Sequence, residues 1–294
     1  MEVALIDVDS KIPNLALMKL SAYHKRHGDN VKFYEPLLDH PDLCYASKIF
    51  DFTPEPDYWP DCEIVRGGVA YDRKLHLPEE AEHIMPDYGL YNCEYALGRF
   101  TRGCPNNCPW CVVPSMDGHE VRQVADLNEF WDGQKVVRLL DDNIMADSDI
   151  FCRACEQLSK AEVKVIWEAL DIRLVTPETA RALASVKQGK SIHFAWDSHA
   201  QDDAVPRGLK YLADAGLKPW RFMFYVLVGF GTKRDYDLYR IYTLRDLGTN
   251  PFVMPFDKND RYQRDLARWC NNKVLFKSIP RFEDYDCPTN RERS

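Results

Sequence analysis

Between Ala96 and Phe256 the sequence alternates, six times over, an apolar run of strand length with a stretch of helical periodicity, and this most restricts what the chain can fold into. Strands are predicted at 96–101, 136–140, 163–170, 191–197, 221–229 and 251–256. Helices are predicted around 126–132, 148–160, 177–187, 203–215 and 234–246 between them, with one more at 261–271. Alternation of this kind implies a parallel sheet, because a parallel neighbour is reached only through a crossover. Thr176-Pro177-Glu178 reads as a helix entry, and Gly216 and Gly248 stand where two helices should stop. Six such units are too few for a closed eight-fold barrel.

Ahead of this region, residues 2–7 read as a buried strand and 13–27 as a helix, with Pro13 in its first turn and Gly28 at its end. Short strands are predicted at 31–34, 43–50 and 62–65, the last closed by a turn at Gly67-Gly68. Apart from that last strand, the stretch from Asp51 to Tyr91, rich in Pro, Asp, Tyr and Glu, reads as a crossing linker. The expected organisation is a small α/β domain over 1–80, a main domain over 81–257 and an extension over 258–294.

A formal net charge of -8 makes nucleic acid no default partner. The stretch after Asp257 is mildly basic, with nine Lys or Arg against six acids, and such a tail is more often a solvated surface than a binding site. No apolar run is long enough to span a bilayer, and no secretory leader is expected ahead of the first strand. Ten cysteines without such a leader suit a reducing cytoplasm and metal or structural thiols, not a disulfide frame.

The strongest chemical statement is the loop GRFTRGCPNNCPWCVVPSMDGHE, from Gly98 to Glu120, with Cys104, Cys108 and Cys111 at C-x3-C-x2-C spacing. Three thiolates from one loop hold three corners of a 4Fe-4S cube and leave the fourth iron open, whereas a closed electron-transfer cluster takes four cysteines. An open iron can bind a chelating ligand and pass an electron into it, which is how radical chemistry based on S-adenosylmethionine (SAM) starts. The alternative is a zinc site, which wants four ligands; His119 could supply the fourth.

The loop resembles the signature of the radical SAM superfamily. Its flanks MPDYGLYN (Met85 to Asn92), FTRGC (Phe100 to Cys104) and CVVPSMDGHEVR (Cys111 to Arg122) resemble the subgroup whose radical domain follows a cobalamin-binding-type domain. The resemblance runs from the first strand to about Asp257 and implies an open six-stranded partial barrel, preceded by a shortened flavodoxin-like domain. In barrels the chemistry gathers at the carboxyl ends of the strands.

On that footing Trp110 lies beside the adenine of SAM, and Asp141, Asp142 and Asn143 are candidates for its methionine amino group. Arg173 is a candidate for its carboxylate, or else a partner of Glu168 or Asp171. Asp197 and Ser198 stand where relatives carry an acid, usually Glu, followed by Ser near the ribose or carboxylate. Val228 would pack on the adenine, and Gly229 would let the backbone come close. Met254 and Pro255 are weaker candidates. Each also has a plainer structural account, as a turn cap, a local ion pair or a buried strand end. Catalytic residues beyond the cluster ligands are not legible.

The D-x-H-x-x-G motif of cobalamin binders is absent: His119 and His199 follow an Asp by two places, but neither has Gly three places on. The N-terminal domain is therefore read as vestigial, and cobalamin is not expected. The remaining cysteines are read as buried apolar residues, including Cys152 and Cys155 on a predicted helix and Cys270 and Cys287 in the tail.

The expected activity is a radical SAM enzyme on an unknown substrate, with a flavodoxin or ferredoxin as reductant. Arg261, Arg264, Arg268 and Lys273, near Tyr262 and Trp269, could face an anionic substrate, so a nucleotide or nucleic acid stays open. No RNA-binding barrel of the kind some methylthio-transferring relatives carry is expected. The rival readings are a non-catalytic zinc or iron-sulfur protein and a cobalamin-dependent methylase.

Overall fold

A computed structural model describes residues 1–286; Cys287, Arg291 and Arg293 lie outside the described residues. The chain forms two compact units, Met1–Val165 and a second that begins at Ile166.

The first unit opens with β1 (Glu2–Asp7), α1 (Leu15–Arg26), β2 (Asn30–Phe33), β3 (Leu43–Ser47) and β4 (Glu63–Gly67). These strands form a parallel sheet in the order β2-β1-β3-β4, with Val3 beside both Val31 and Leu43. That is the order of a flavodoxin-like sheet, as the sequence suggests. Val3, Leu5, Leu17, Leu20 and Val31 form its core against α1. Pro13 is not in the first helical turn: Asn14 is the N-cap, its side chain accepting from Ala16 N at 3.1 Å and Leu17 N at 3.2 Å. Strand β3 stops at Ser47, short of the predicted Phe50. The Asp9 carboxylate takes the next amides, Ile49 N at 2.8 Å and Phe50 N at 2.9 Å, away from the ladder.

After the linker, which carries the short helix α2 (Glu79–Glu82), come β5 (Ala96–Gly98), β6 (Thr101–Arg102), α3 (Val113–Met116), β7 (Arg122–Gln123), β8 (Val136–Leu139) and α4 (Ser148–Lys160). β5 and β8 pair in parallel, Leu97 beside Arg138. The strand predicted at 96–101 breaks after Gly98, and β6 turns into an antiparallel ribbon with β7, Thr101 facing Gln123 and Arg102 facing Arg122. The helix predicted at 126–132 is a single 3-10 turn over Leu127–Glu129, closed by a capping box between Asp126 and Glu129. α4 forms where predicted; it buries Cys155, and Cys152 is half-buried. Cys44 is fully buried, which pushes its thiol up to about 12.

β9 (Lys164–Leu170) carries the chain into the second unit, which continues with α5 (Pro177–Ser185), β10 (Lys187–Ala195), α6 (Ala204–Asp214), β11 (Phe222–Val228), α7 (Arg234–Asp246), β12 (Asn250–Pro255), α8 (Arg261–Asn271) and α9 (Lys273–Ser278). β10, β11 and β12 are parallel neighbours, with Phe194 beside Phe224 and Phe224 beside Pro251. Along β11, Phe222, Phe224, Val226 and Val228 are fully buried, so the apolar run is a core strand. Thr176 caps α5 with Pro177 in its first turn, and Gly216 and Gly248 take positive φ just past α6 and α7, as predicted.

Helix α8 covers the edge of β12. Asn271 accepts from Val253 N at 2.7 Å and donates to Val253 O at 3.0 Å, standing in for a further strand. Trp269 is fully buried on this helix and donates to Ile279 O, while Arg261, Arg264 and Arg268 are exposed. The tryptophan is thus core and does not stand with the arginines. Beneath α7, the fully buried Arg240 pairs with Asp237 at 2.6 Å and donates to Trp196 O and Leu227 O, tying the helix to the ends of β10 and β11. No helix among the described residues is long and apolar enough to cross a membrane.

Candidate cofactor site

The cysteine loop leaves the ribbon at β6 and returns to it at β7. Its closure requires glycine at 103: φ is +89°, and a Cβ there would stand 2.1 Å from Glu120 O. Gly103 N donates to Asp142 Oδ2 at 2.8 Å, and Cys104 N donates to Gly118 O at 3.2 Å, so both limbs are tied at the base. Cys111 N reaches Cys108 O at 2.9 Å, folding the second half into a turn. Cys104 is buried, Cys108 half-buried and Cys111 exposed, and no described cysteine is in a disulfide.

Two side-chain amides point at one sulfur. Asn106 Nδ2 lies 3.4 Å and Asn143 Nδ2 3.5 Å from Cys104 Sγ. Amide donors of this kind are hydrogen-bond partners suited to a sulfur that ligates metal. The surrounding protein raises the Cys111 thiol by desolvation, and the nearby Cys104 adds to the rise. The donor set, three thiols of which one is held by amides, suits an iron-sulfur cluster. His119 is exposed, and among the described residues no group of three or more His, Cys, Asp or Glu stands gathered to hold a metal ion.

The three residues after β8 meet the loop directly. Asp141 Oδ1 accepts from Phe100 N at 3.0 Å, Thr101 N at 2.6 Å and Thr101 Oγ1 at 2.7 Å, which is why the first strand breaks where it does. Its Oδ2 is buried without a hydrogen bond, and desolvation raises its pKa to about 6. Asp142 is raised too, chiefly by desolvation and against the pull of Arg99. Trp110 is half-buried on the loop.

Behind the loop, the fully buried Asp117 side chain sits among three guanidinium groups: Arg102 at 3.1 Å, Arg122 at 3.9 Å and Arg99 at 4.0 Å. Arg102 also donates to Glu82 at 3.0 Å, and Glu82 in turn holds Lys19 of α1. Sequence reasoning singled out neither this network nor Asn106. Their only trace was position: an amide inside the thiol loop and charges in its RGC and MDGHE flanks.

In the second unit the remaining candidates have local duties. Arg173 grips Asp171 through two hydrogen bonds, Nε to Oδ1 at 2.8 Å and Nη2 to Oδ2 at 2.6 Å. Asp197 is half-buried, raised by desolvation, and accepts from Leu227 N at 2.8 Å. Ser198 opens a 3-10 turn in a capping box with Gln201. Val228 is fully buried, whereas Met254 is 43% exposed. Gly229 does permit close approach, but by Gln263 of α8: a Cβ would meet Gln263 Nε2 at 2.1 Å.

No family model matches the chain. It is 32% identical to the tRNA-2-methylthio-N(6)-dimethylallyladenosine synthase of Flavobacterium johnsoniae over 33% of this chain and 22% of that protein. It is 23% identical to the ribosomal protein uS12 methylthiotransferase RimO of Pseudomonas aeruginosa over 51% of this chain and 36% of that protein. The chain therefore spans only about a fifth to a third of the length of these curated relatives. Its fold is similar to that of the radical S-adenosylmethionine methyltransferase TsrM from Kitasatospora setae, solved with cobalamin and a 4Fe-4S cluster bound. The TM-score is 0.64 at 11% identity, over 87% of this chain and 75% of that one. The chain is thus similar over a third to a half of its length to two methylthiotransferases, and in fold to a radical S-adenosylmethionine methyltransferase.

Proposed function

We propose that the chain is a radical SAM enzyme whose Cys104, Cys108 and Cys111 hold a 4Fe-4S cluster with one open iron. The observation that carries this reading is the loop itself: three cysteines outside any disulfide on a segment tied at its base, with Asn106 and Asn143 aimed at Cys104 Sγ. A cluster held there and reduced by an external electron donor would supply one electron for the reductive cleavage of SAM, the start of hydrogen-atom abstraction from a substrate. The loop would supply the three ligands.

Among the candidates for SAM, Asp141 has the best claim in the first unit. Its buried Oδ2 lacks a hydrogen bond, and an ammonium group would fill that place. Trp110 offers an aromatic face on the loop for the adenine. Arg173, Asp197, Ser198, Val228 and Gly229 remain in the proposed SAM set, though the first two must share their contacts with Asp171 and Leu227. A flavodoxin or ferredoxin would deliver the electron, and the exposed Arg261, Arg264 and Arg268 leave an anionic substrate open. The reading takes no corrin. His76 lines the first unit's cavity, but it follows Lys74, not an acid, and so offers no D-x-H-x-x-G ligand. The relative with bound cobalamin makes this the point to test.

The test is anaerobic reconstitution with iron and sulfide, followed by electron paramagnetic resonance with and without SAM and assay of 5'-deoxyadenosine. A signal that changes with SAM, with 5'-deoxyadenosine formed, is expected. Cleavage that persists after Cys104→Ala, Cys108→Ala or Cys111→Ala, or zinc in place of iron, would overturn the reading. Tight cobalamin binding with a methylated product would replace it with the methylase.

A further inference from the structure

The carboxyl edge of the N-terminal sheet opens, within the first unit, into a cavity of about 510 Å³, the size of a small-molecule site. Ser10 and Asn14 follow β1, Ser47 and Ile49 lie at the end of β3, and Gly67 and Gly68 lie at the end of β4. The cavity thus faces the point where the strand order reverses between β1 and β3, the place where open parallel sheets take ligands. Its lining is mostly apolar, with Leu15, Ala16, Val65 and Leu77 among the walls.

At one side the lining turns charged, with Lys19, Glu82, Arg99, Arg102 and Asp117. Two of the cations are answered at close range: Lys19 by Glu82, and Arg102 by Glu82 at 3.0 Å and Asp117 at 3.1 Å. Arg99 is not. Its nearest carboxylates, Asp142 at 3.9 Å and Asp117 at 4.0 Å, lie beyond hydrogen-bonding distance, and its buried Nε makes no hydrogen bond. A guanidinium with only 18% of its side chain exposed and its buried Nε unbonded is a costly arrangement unless something anionic completes it. A carboxylate, phosphate or sulfonate matches its planar set of donors. Asp117 Oδ2, also buried without a hydrogen bond, offers an acceptor to a donor beside that anion.

We propose that this cavity binds a small amphipathic anion, an apolar body carrying one acidic group, and that Arg99 anchors the acid. Neither the cluster nor SAM is needed for this binding, so it is read separately from the proposed activity.

The test uses the full chain and two fluorescent probes with the same ring system: 8-anilinonaphthalene-1-sulfonate, an anion, and N-phenyl-1-naphthylamine, which is neutral. Wild type should bind one anionic probe per chain, about tenfold or more tighter than the neutral one, as a charge-assisted hydrogen bond implies. Arg99→Met should abolish that preference while leaving the neutral probe's affinity unchanged. Ala16→Trp, which fills the cavity from α1, should weaken both, with near-ultraviolet circular dichroism showing the fold retained. Equal affinity for the two probes in wild type, or an unchanged preference in Arg99→Met, would overturn the proposal. So would one hydroxocobalamin bound per chain and lost in Ala16→Trp, since the cavity would then be a corrin site.

Discussion

Asn143 donates from Nδ2 to Cys104 Sγ at 3.5 Å, linking the segment after β8 to the first sulfur of the cysteine loop. Hydrogen bonds to a ligating sulfur stabilise the more negative, reduced cluster. Asn143→Ala should therefore lower the midpoint potential of the reconstituted cluster without removing its iron. A redox titration followed by electron paramagnetic resonance checks this; an unchanged potential would mean that the amide only fixes the loop.

Gly103→Ala should destabilise the chain by about 3 kcal/mol or more, because the added methyl meets the Glu120 carbonyl at a backbone angle that L side chains avoid. Iron uptake on reconstitution should fall with it. Denaturant melts and iron analysis read the two effects.

The buried Asp237–Arg240 pair yields a test in the second unit. Asp237→Ala leaves a guanidinium buried with one carboxylate fewer and should cost about 3–5 kcal/mol of stability. Replacing both residues with apolar ones of similar volume should cost less than the single change, and a double-mutant cycle on the purified chain measures the coupling.

Asp141 sets a pH dependence. Its pKa in the folded chain, about 6, lies above the ordinary 3.8, so the folded state holds the proton more tightly than the unfolded state. Its contribution is most favourable below about 3.8 and is lost as pH rises through about 6. The loss is on the order of 3 kcal/mol. Asp141→Asn should flatten that segment of the stability curve relative to wild type, measured by denaturant melts without cluster between pH 4 and pH 7, the window that spans the shift.

The sequence by itself determined the elements and the chemistry on offer. Periodicity located β8 to β12 and α4 to α8, because apolar alternation must match the geometry that buries it. Spacing picked out Cys104, Cys108 and Cys111, because ligands on one short loop can be brought together without long-range contacts. Tertiary structure decided which polar groups meet. Asp141 lies 40 residues from Thr101, yet its carboxylate breaks the predicted strand at 96–101 by taking two of its amides. Arg99 and Asp117 were unremarkable in the sequence, and Gly229 pointed to a ligand, until folding set the first two together and put Gln263 against the third. Local pattern records what a residue prefers, whereas long-range hydrogen bonds and ion pairs depend on distances that only the folded backbone fixes.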